Sequence, residues 1–243
     1  MSPTRARDAT TSTPELLELI LAHLPMRDLL VTAPLVCKTW QALALTPALQ
    51  RVLFFEPVPL SSSAPMQNPL LAELFPPFFT AVAQDTHWAR LPGSARSIKS
   101  MPWSKSPAAF KRAEASWRRM LVAQPPPLTM IVAEKCYGQS GAAERRTALT
   151  DISPLRMGSL YDIALPFADA DTDSFFCVLW RDGDVETDSE GDITLAVTYT
   201  ESTRQRRGLR LDERFYSDAF RDHANLEIAW GEMDHTSLWL NAN

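Results

Sequence analysis

Prolines divide the N-terminal part of the chain into short segments, and their spacing limits what this part can fold into. Pro14 and Pro47 each follow a threonine, an order typical of a helix start, because threonine can cap a helix and the first turn does not need the N–H that proline lacks. Pro25 ends the first segment and Pro34 interrupts the second. Apolar residues recur at helical spacing within the segments. The sequence therefore predicts three or four short helices within about 45 residues.

This helical block carries more apolar side chains than it can bury alone. A segment of about 45 residues lies near the lower size limit for a domain that folds by itself. Leucine, isoleucine, valine and tryptophan nevertheless recur throughout the predicted helices. We therefore expect some of these side chains to stay exposed unless another protein covers them.

The block also contains an ordered set of short motifs: Pro14-Glu15-Leu16-Leu17 through Ile20, then Leu24-Pro25 with Asp28-Leu29-Leu30, then Val36-Cys37-Lys38-Thr39-Trp40 and Leu43. Their order, spacing and residue types resemble the F-box, most closely as it occurs in fungal F-box proteins. Pro14 stands where many members have Leu-Pro, and Pro34 falls just before the third motif. Residues 68–79 and 115–121 resemble, more loosely, segments found in a subset of those fungal proteins.

The resemblance implies a docking module. F-boxes bind the Skp adaptor, which links them to a cullin scaffold and a RING subunit in ubiquitin ligases of the SCF class. The expected mode is a helix in a groove, with apolar anchors at helical spacing. The residues expected to contact the adaptor are Pro14, Leu16, Leu17, Ile20, Leu24, Pro25, Asp28, Leu29, Val36, Cys37, Lys38 and Trp40.

Several of these residues also have a purely structural interpretation. Leu17 lies on a helical stripe that is more often internal core than interface. Pro25 is a strong contact candidate because it is rigid, and Trp40 because tryptophan is enriched at binding hot spots, although Trp40 could equally hold the helices together. Cys37 is expected to be a small buried apolar residue, and Lys38 a solvated charge at the rim.

Proline, serine and short aromatic clusters follow the helical block. Because glycine is scarce there, we expect a stiff connector. Phe75, Phe78, Phe79 and Trp88 are expected to pack onto the following domain, since an exposed cluster of that size would favour aggregation. The predicted organisation is a polar tail at 1–11, the F-box at 12–56, a proline-rich connector at 57–105, and a possible substrate-recognition domain at 106–243.

The last region predicts a small α+β domain. Ser106-Pro107 starts a helix whose buried stripe is Phe110, Ala113, Trp117, Met120 and Leu121. Residues 128–133, 175–180, 193–200 and 226–230 are rich in β-branched and aromatic side chains and predict strands, and 215–220 predict one more helix. The strands do not alternate regularly with helices, which favours an antiparallel sheet. The fold class is therefore α+β, with an all-α block before a mixed domain.

No catalytic, metal or cofactor motif is evident. The three cysteines have no C-x-x-C pair and the four histidines have no metal-ligand spacing, so we expect no metal, no cofactor and a reducing compartment. A formal net charge of -5 argues against a protein whose whole surface binds nucleic acid. No apolar run of 18 residues and no signal peptide is present, so we expect no membrane segment and a cytoplasmic or nuclear location.

Charge is nevertheless segregated along the chain. Residues 169–192 contain nine acidic residues and one arginine, a pattern of a solvated hairpin loop or, alternatively, of a docking site for basic segments. A positively charged cluster follows. It is either a solvated turn or the first candidate for substrate contact, because arginine binds phosphate well. Its members are Arg204, Arg206, Arg207 and Arg210.

Taken with the resemblance, these features predict a non-catalytic subunit that recruits a protein substrate to an SCF-type ubiquitin ligase. The F-box would bind the adaptor and the C-terminal domain would bind the target. One alternative is an F-box scaffold that degrades nothing. Another is a small hydrolase or ligand-binding domain fused to an F-box, which a convergent polar pocket would favour.

Overall fold

The computed structural model describes residues 13–59, 66–82, 91–101, 106–110, 112–138, 141–149, 154–168, 174–180, 192–200 and 234–236. An N-terminal helical region precedes a mixed α+β region, as the sequence predicts. Within the described residues, no helix has both the length and the apolar character that crossing a membrane requires.

Five short helices make up the described N-terminal region, one more than the largest number predicted. Pro34 explains the difference: it occupies the second position of a separate one-turn helix, where proline is tolerated, so the predicted second segment becomes two helices. The helices are α1 (Pro14–Ala22), α2 (Met26–Val31), α3 (Ala33–Val36), α4 (Lys38–Leu43) and α5 (Pro47–Val52).

The segment expected to be a connector is part of the core over residues 66–82. It forms β1 (Met66–Gln67), α6 (Pro69–Leu74) and α7 (Pro76–Phe79). Phe75, Phe78 and Phe79 are buried, as predicted, and the Phe78 ring lies 4.9 Å from that of Phe176 in the sheet. Trp88 lies outside the described residues.

The prediction of one continuous helix after Ser106 is wrong. The chain forms two single turns, α9 (Pro107–Phe110) and α10 (Ser116–Arg119), preceded by β2 (Gly93–Ser94) and α8 (Ala95–Ser100). Residues seven apart on one continuous helix lie about 10.5 Å apart along its axis. The break instead brings the Phe110 and Trp117 rings together, stacked with their centroids 4.5 Å apart, and leaves Ala113 exposed.

Six strands form one sheet in the order β2-β6-β7-β4-β5-β8. Its further strands are β4 (Met130–Gly138), β5 (Gly141–Leu149), β6 (Ser174–Trp180), β7 (Ile193–Thr200) and β8 (Asp234–Thr236). Neighbours are antiparallel except β4 and β7, which run parallel, so the expectation of an antiparallel sheet holds for every pair but one. The predicted strand at 226–230 and the predicted helix at 215–220 lie outside the described residues.

One helix of the second region escaped prediction. α11 (Met157–Ala168) packs on the sheet, and Leu160, Tyr161 and Ala164 are fully buried. A bidentate ion pair joins it to α10: the two Nη atoms of Arg118 donate to the carboxylate oxygens of Asp162 at 3.2 and 2.5 Å.

A buried segment that we call the central segment, Met120–Gln124, links these parts. It includes β3 (Ala123–Gln124), which pairs with β1. Its backbone exchanges hydrogen bonds with residues 155–157 before α11, and Asn68 N–H donates to the Val122 carbonyl at 2.9 Å. The side chain of Asn68, itself fully buried, donates from Nδ2 to the Leu121 carbonyl at 3.1 Å.

Asn68 also caps α6, and its removal should destabilise the protein measurably. Its Oδ1 accepts from the backbone N–H groups of Leu70 and Leu71, both at 3.1 Å. Asn68→Ala removes that cap and leaves buried backbone groups without partners, so we expect the free energy of unfolding to fall by about 2–3 kcal/mol. Urea denaturation followed by circular dichroism measures the change.

Thr80→Ala is the matched control, because the Thr80 hydroxyl makes a side-chain bond to the Pro76 carbonyl at an exposed position. We expect that variant to change stability by at most about 0.5 kcal/mol. Equal losses in the two variants would contradict the role assigned to Asn68.

Candidate functional site

α1 is apolar on two faces, only one of which packs inside the protein. Leu17 and Leu21 are buried at 3% and 0% exposure, in the direction of α5. Leu16, Leu19 and Ile20 are 47%, 62% and 45% exposed. The internal core therefore uses one face of the helix and leaves three large apolar side chains in solvent.

A second exposed set lies where α2, α3 and α4 follow one another. Leu29 and Ala33 point into the core, whereas Val31, Leu35 and Val36 are more than half exposed. With Leu45, between α4 and α5, the helical block holds seven of the ten exposed large apolar side chains in the described part of the chain. We call these seven the apolar helix surface: Leu16, Leu19, Ile20, Val31, Leu35, Val36 and Leu45.

The predicted adaptor contacts divide by burial. Leu24 and Trp40 are half-buried and pack against the core, and Leu17 and Leu29 are buried. Leu17 and Leu29 anchor α1 and α2 in the core and have almost no exposed side-chain surface. The prediction that these two residues contact the adaptor directly therefore needs correction. The remaining predicted residues are exposed: Pro14, Leu16, Ile20, Pro25, Asp28, Val36, Cys37 and Lys38.

Four members of the apolar helix surface were missed. Leu19 lies three residues after Leu16, so the apolar pair on the outer face of α1 was a usable signal. Leu35, the most exposed member, sits beside Pro34 in a one-turn helix that the periodicity did not resolve. Val31 and Leu45 close short helical segments, where helical spacing does not distinguish an inner from an outer face.

Cys37 is exposed, which corrects the expectation that it is buried. It occupies the residue before α4 with φ -163° and ψ 169°, an extended conformation that separates α3 from α4. The chain is therefore stretched at this point, outside either helix, and the side chain is not enclosed by packing.

Backbone-directed hydrogen bonds fix this block to the sheet region. After α5 the chain turns at Phe54, whose φ of 61° is in the left-handed region, and the Phe54 carbonyl accepts from Leu121 N–H at 2.7 Å. The side-chain amide of Gln124 donates to the carbonyls of Arg51 at 2.9 Å and Glu56 at 3.0 Å. These hydrogen bonds join the helical block directly to the central segment. The apolar helix surface therefore has a fixed position relative to the sheet.

The C-terminal candidates are only partly described. Arg204, Arg206, Arg207 and Arg210 lie outside the described residues, as does most of the acidic stretch. Asp192, at its end, accepts from the backbone N–H groups of Leu128 at 2.8 Å and Thr129 at 3.1 Å. This carboxylate therefore holds the starts of β4 and β7 together. In the described part of the chain, no group of three potential ligands could hold a metal ion.

The geometry agrees with the comparison to known families. Residues 14–56 match the family model described as F-box-like. The match begins at the first residue of α1 and ends in the turn after α5, so it coincides with the helical block that carries the apolar helix surface. Neither the curated proteins nor the solved structures include a significant match to the chain.

Thiol labelling tests the placement of two cysteines. Cys37 is exposed, whereas Cys177 is 3% exposed and burial raises the pKa of its thiol to about 11. At pH 8 the thiolate fraction of Cys177 is then about one in a thousand, in addition to its steric protection. We expect a maleimide to label Cys37 at least about 100-fold faster than Cys177 in the native protein.

Peptide mass mapping after timed quenching measures both rates. A Cys37→Ser variant identifies the fast site, and labelling in denaturing urea shows that both peptides are detectable. If Cys177 reacts as fast as Cys37 in the native protein, the burial described here is wrong.

Proposed function

We propose that this chain, which carries an F-box-like domain at residues 14–56, binds a Skp adaptor through that domain and recruits a protein substrate to an SCF-type ubiquitin ligase. The observation that supports the proposal is the apolar helix surface. It lies within the segment that matches the family, and exposed apolar residues concentrated in one small block are characteristic of a binding surface.

The proposed adaptor interface combines the predicted residues that are exposed with the members of the apolar helix surface that were missed. Leu16 and Ile20 provide anchors on α1, four residues apart, as a helix lying in a groove requires. Leu35 and Val36 provide anchors at the other exposed set, with Pro25 in the turn between α1 and α2. Asp28 and Lys38 supply charge at the rim. Leu17 and Leu29 support the surface from inside.

The recruiting role needs no catalytic residue in this chain. The adaptor would bring the cullin and RING subunits, and holding a target lysine near the charged enzyme replaces an intermolecular encounter with an intramolecular one. The hydrogen bonds from Gln124 and Leu121 to the end of the helical block support this role, because they give the sheet region a fixed orientation to the proposed adaptor interface. We place the substrate-binding surface in residues 106–243.

Affinity for a purified Skp adaptor tests the proposal. The double variant Leu35→Ser, Val36→Ser removes two exposed anchors without touching the core, so its fold should be unchanged by circular dichroism. We expect binding to weaken by a factor of roughly 30 or more, about 2 kcal/mol, if these residues include hot spots. A second variant, Leu16→Ser, Ile20→Ser, tests the α1 side in the same assay.

Leu128→Ser is the matched control, since Leu128 is 59% exposed and lies outside the helical block. Its affinity should stay within about twofold of the wild type, because isolated surface changes have small effects. Bound adaptor should also slow maleimide labelling of Cys37. An adaptor that does not bind the wild-type chain refutes the proposed function, and equal losses in the control and the test variants refute the proposed interface.

A further inference from the structure

Two arginines contact the turn that ends the helical block, and a third lies in the helix that leads into it. The guanidinium of Arg119, the last residue of α10, lies 5.2 Å from the centre of the Phe55 ring. Arg156 donates from Nη1 to the carbonyl of Phe55 at 3.4 Å and to the carbonyl of Arg119. Arg51 lies in the last turn of α5, four residues before Phe55, and its Nε is buried without an acceptor in the described part of the chain. We call Arg51, Arg119 and Arg156 the junction arginines.

Within the described residues, no carboxylate balances the charge of the junction arginines. In the described part of the chain, no carboxylate oxygen lies within 4.0 Å of a guanidinium nitrogen of these three residues, although Glu56 belongs to the same turn. The adjacent Arg118 shows the contrast, because Asp162 neutralises it through two hydrogen bonds. The junction therefore presents positive charge on a chain whose formal net charge is -5.

Two of the junction arginines are also held in place. Arg119 is exposed but rests on the ring of the buried Phe55, and Arg156 is restrained by two backbone carbonyls. A guanidinium that is already positioned loses less conformational entropy when it binds an anion. These contacts to a ring and to carbonyls position the guanidinium groups without cancelling their charge.

We propose that the junction arginines bind an anionic segment of a partner protein, one that carries carboxylate or phosphate groups. Guanidinium matches both oxyanions in shape and in hydrogen-bond geometry. A nucleic acid fits less well, because Phe55 is buried beneath Arg119 and offers no face for stacking a base, and the acidic chain repels an extended polyanion. The inference rests on the proposed function in one respect: it names the chemistry of the recruited segment, and it adds Arg51 of the helical block to the surface proposed within residues 106–243.

Fluorescence anisotropy with labelled peptides tests the site on the full chain. The probes are a twelve-residue Gly-Ser peptide, the same peptide with three phosphoserines, and the same peptide with three glutamates. We expect at least one anionic peptide to bind about tenfold more tightly than the neutral parent, with an affinity that falls as salt rises. The phosphoserine and glutamate peptides distinguish the two sources of the oxyanion.

Arg119→Gln removes one exposed positive charge. The contact described for the Arg119 side chain is with the Phe55 ring, so the substitution removes none of the hydrogen bonds described above. We expect it to weaken binding of the anionic peptide by about fivefold or more. Arg27→Gln makes the same change of charge at an arginine that lies 4.0 Å from Glu73, and its effect should stay below about twofold. Arg119→Lys should recover only part of the loss, since lysine keeps the charge but not the planar fork.

Three results would overturn the inference: equal binding of neutral and anionic peptides, wild-type affinity in Arg119→Gln, or tighter binding of a twelve-nucleotide thymidine oligonucleotide than of either anionic peptide. The adaptor assay separates this site from the proposed function. Arg119→Gln should keep wild-type affinity for the Skp adaptor, and a chain that binds no adaptor but still loses peptide affinity in Arg119→Gln supports the anion site alone.

Discussion

The buried central segment, Met120–Gln124, is the constraint on which the rest of the structure depends. Buried backbone groups are costly unless they are hydrogen-bonded. This segment meets that requirement in three directions: with Phe54 at the end of the helical block, with Asn68 before α6, and with the chain that leads into α11. Gln124 adds a side-chain amide that donates to the carbonyls of Arg51 and Glu56 at the end of the helical block. The helical block is therefore built onto the sheet region.

This arrangement explains why the helical block can keep so much apolar surface exposed. One contiguous core extends from Leu17 and Leu21 through Phe75 and Phe78 to the sheet, so the inner faces of the short helices are stabilised by the larger body. The outer faces do not have to close a core of their own. Exposed leucines and valines still carry a cost in solvent, and a partner that covers them would recover favourable burial. The distribution of apolar residues is thus consistent with a surface kept for binding.

Local signals in the sequence predict where several of the elements lie. Proline spacing identifies the helical block, although the expected cap at the start of α5 does not form, because the Thr46 hydroxyl donates to Glu18 instead. β-Branched and aromatic runs identify β6 and β7. β5 was missed because Gly141–Leu149 has little strand character, and it is a strand through its pairing with β4 along its whole length. α11 contains Gly158, where a side chain would meet the Arg118 carbonyl at 2.9 Å, so close packing against α10 favours glycine there over a better helix former. Leu16 and Leu17 show the same limit at the candidate site: both are apolar neighbours on one helix, and only tertiary packing decides which is exposed.

The position of the junction arginines follows from the same hydrogen bonds that orient the helical block. Arg119 precedes the central segment, Arg51 belongs to α5, and Arg156 leads into α11, so the three residues come from separate parts of the chain that meet at this junction. Because the helical block is hydrogen-bonded directly to the central segment, the distance between the apolar helix surface and the junction arginines is set by the fold and not by a flexible linker. A segment bound at the arginines would therefore keep one orientation relative to an adaptor bound at the helices. Fixed orientation is what transfer by proximity requires, since the rate depends on how often the target group occupies the reactive position.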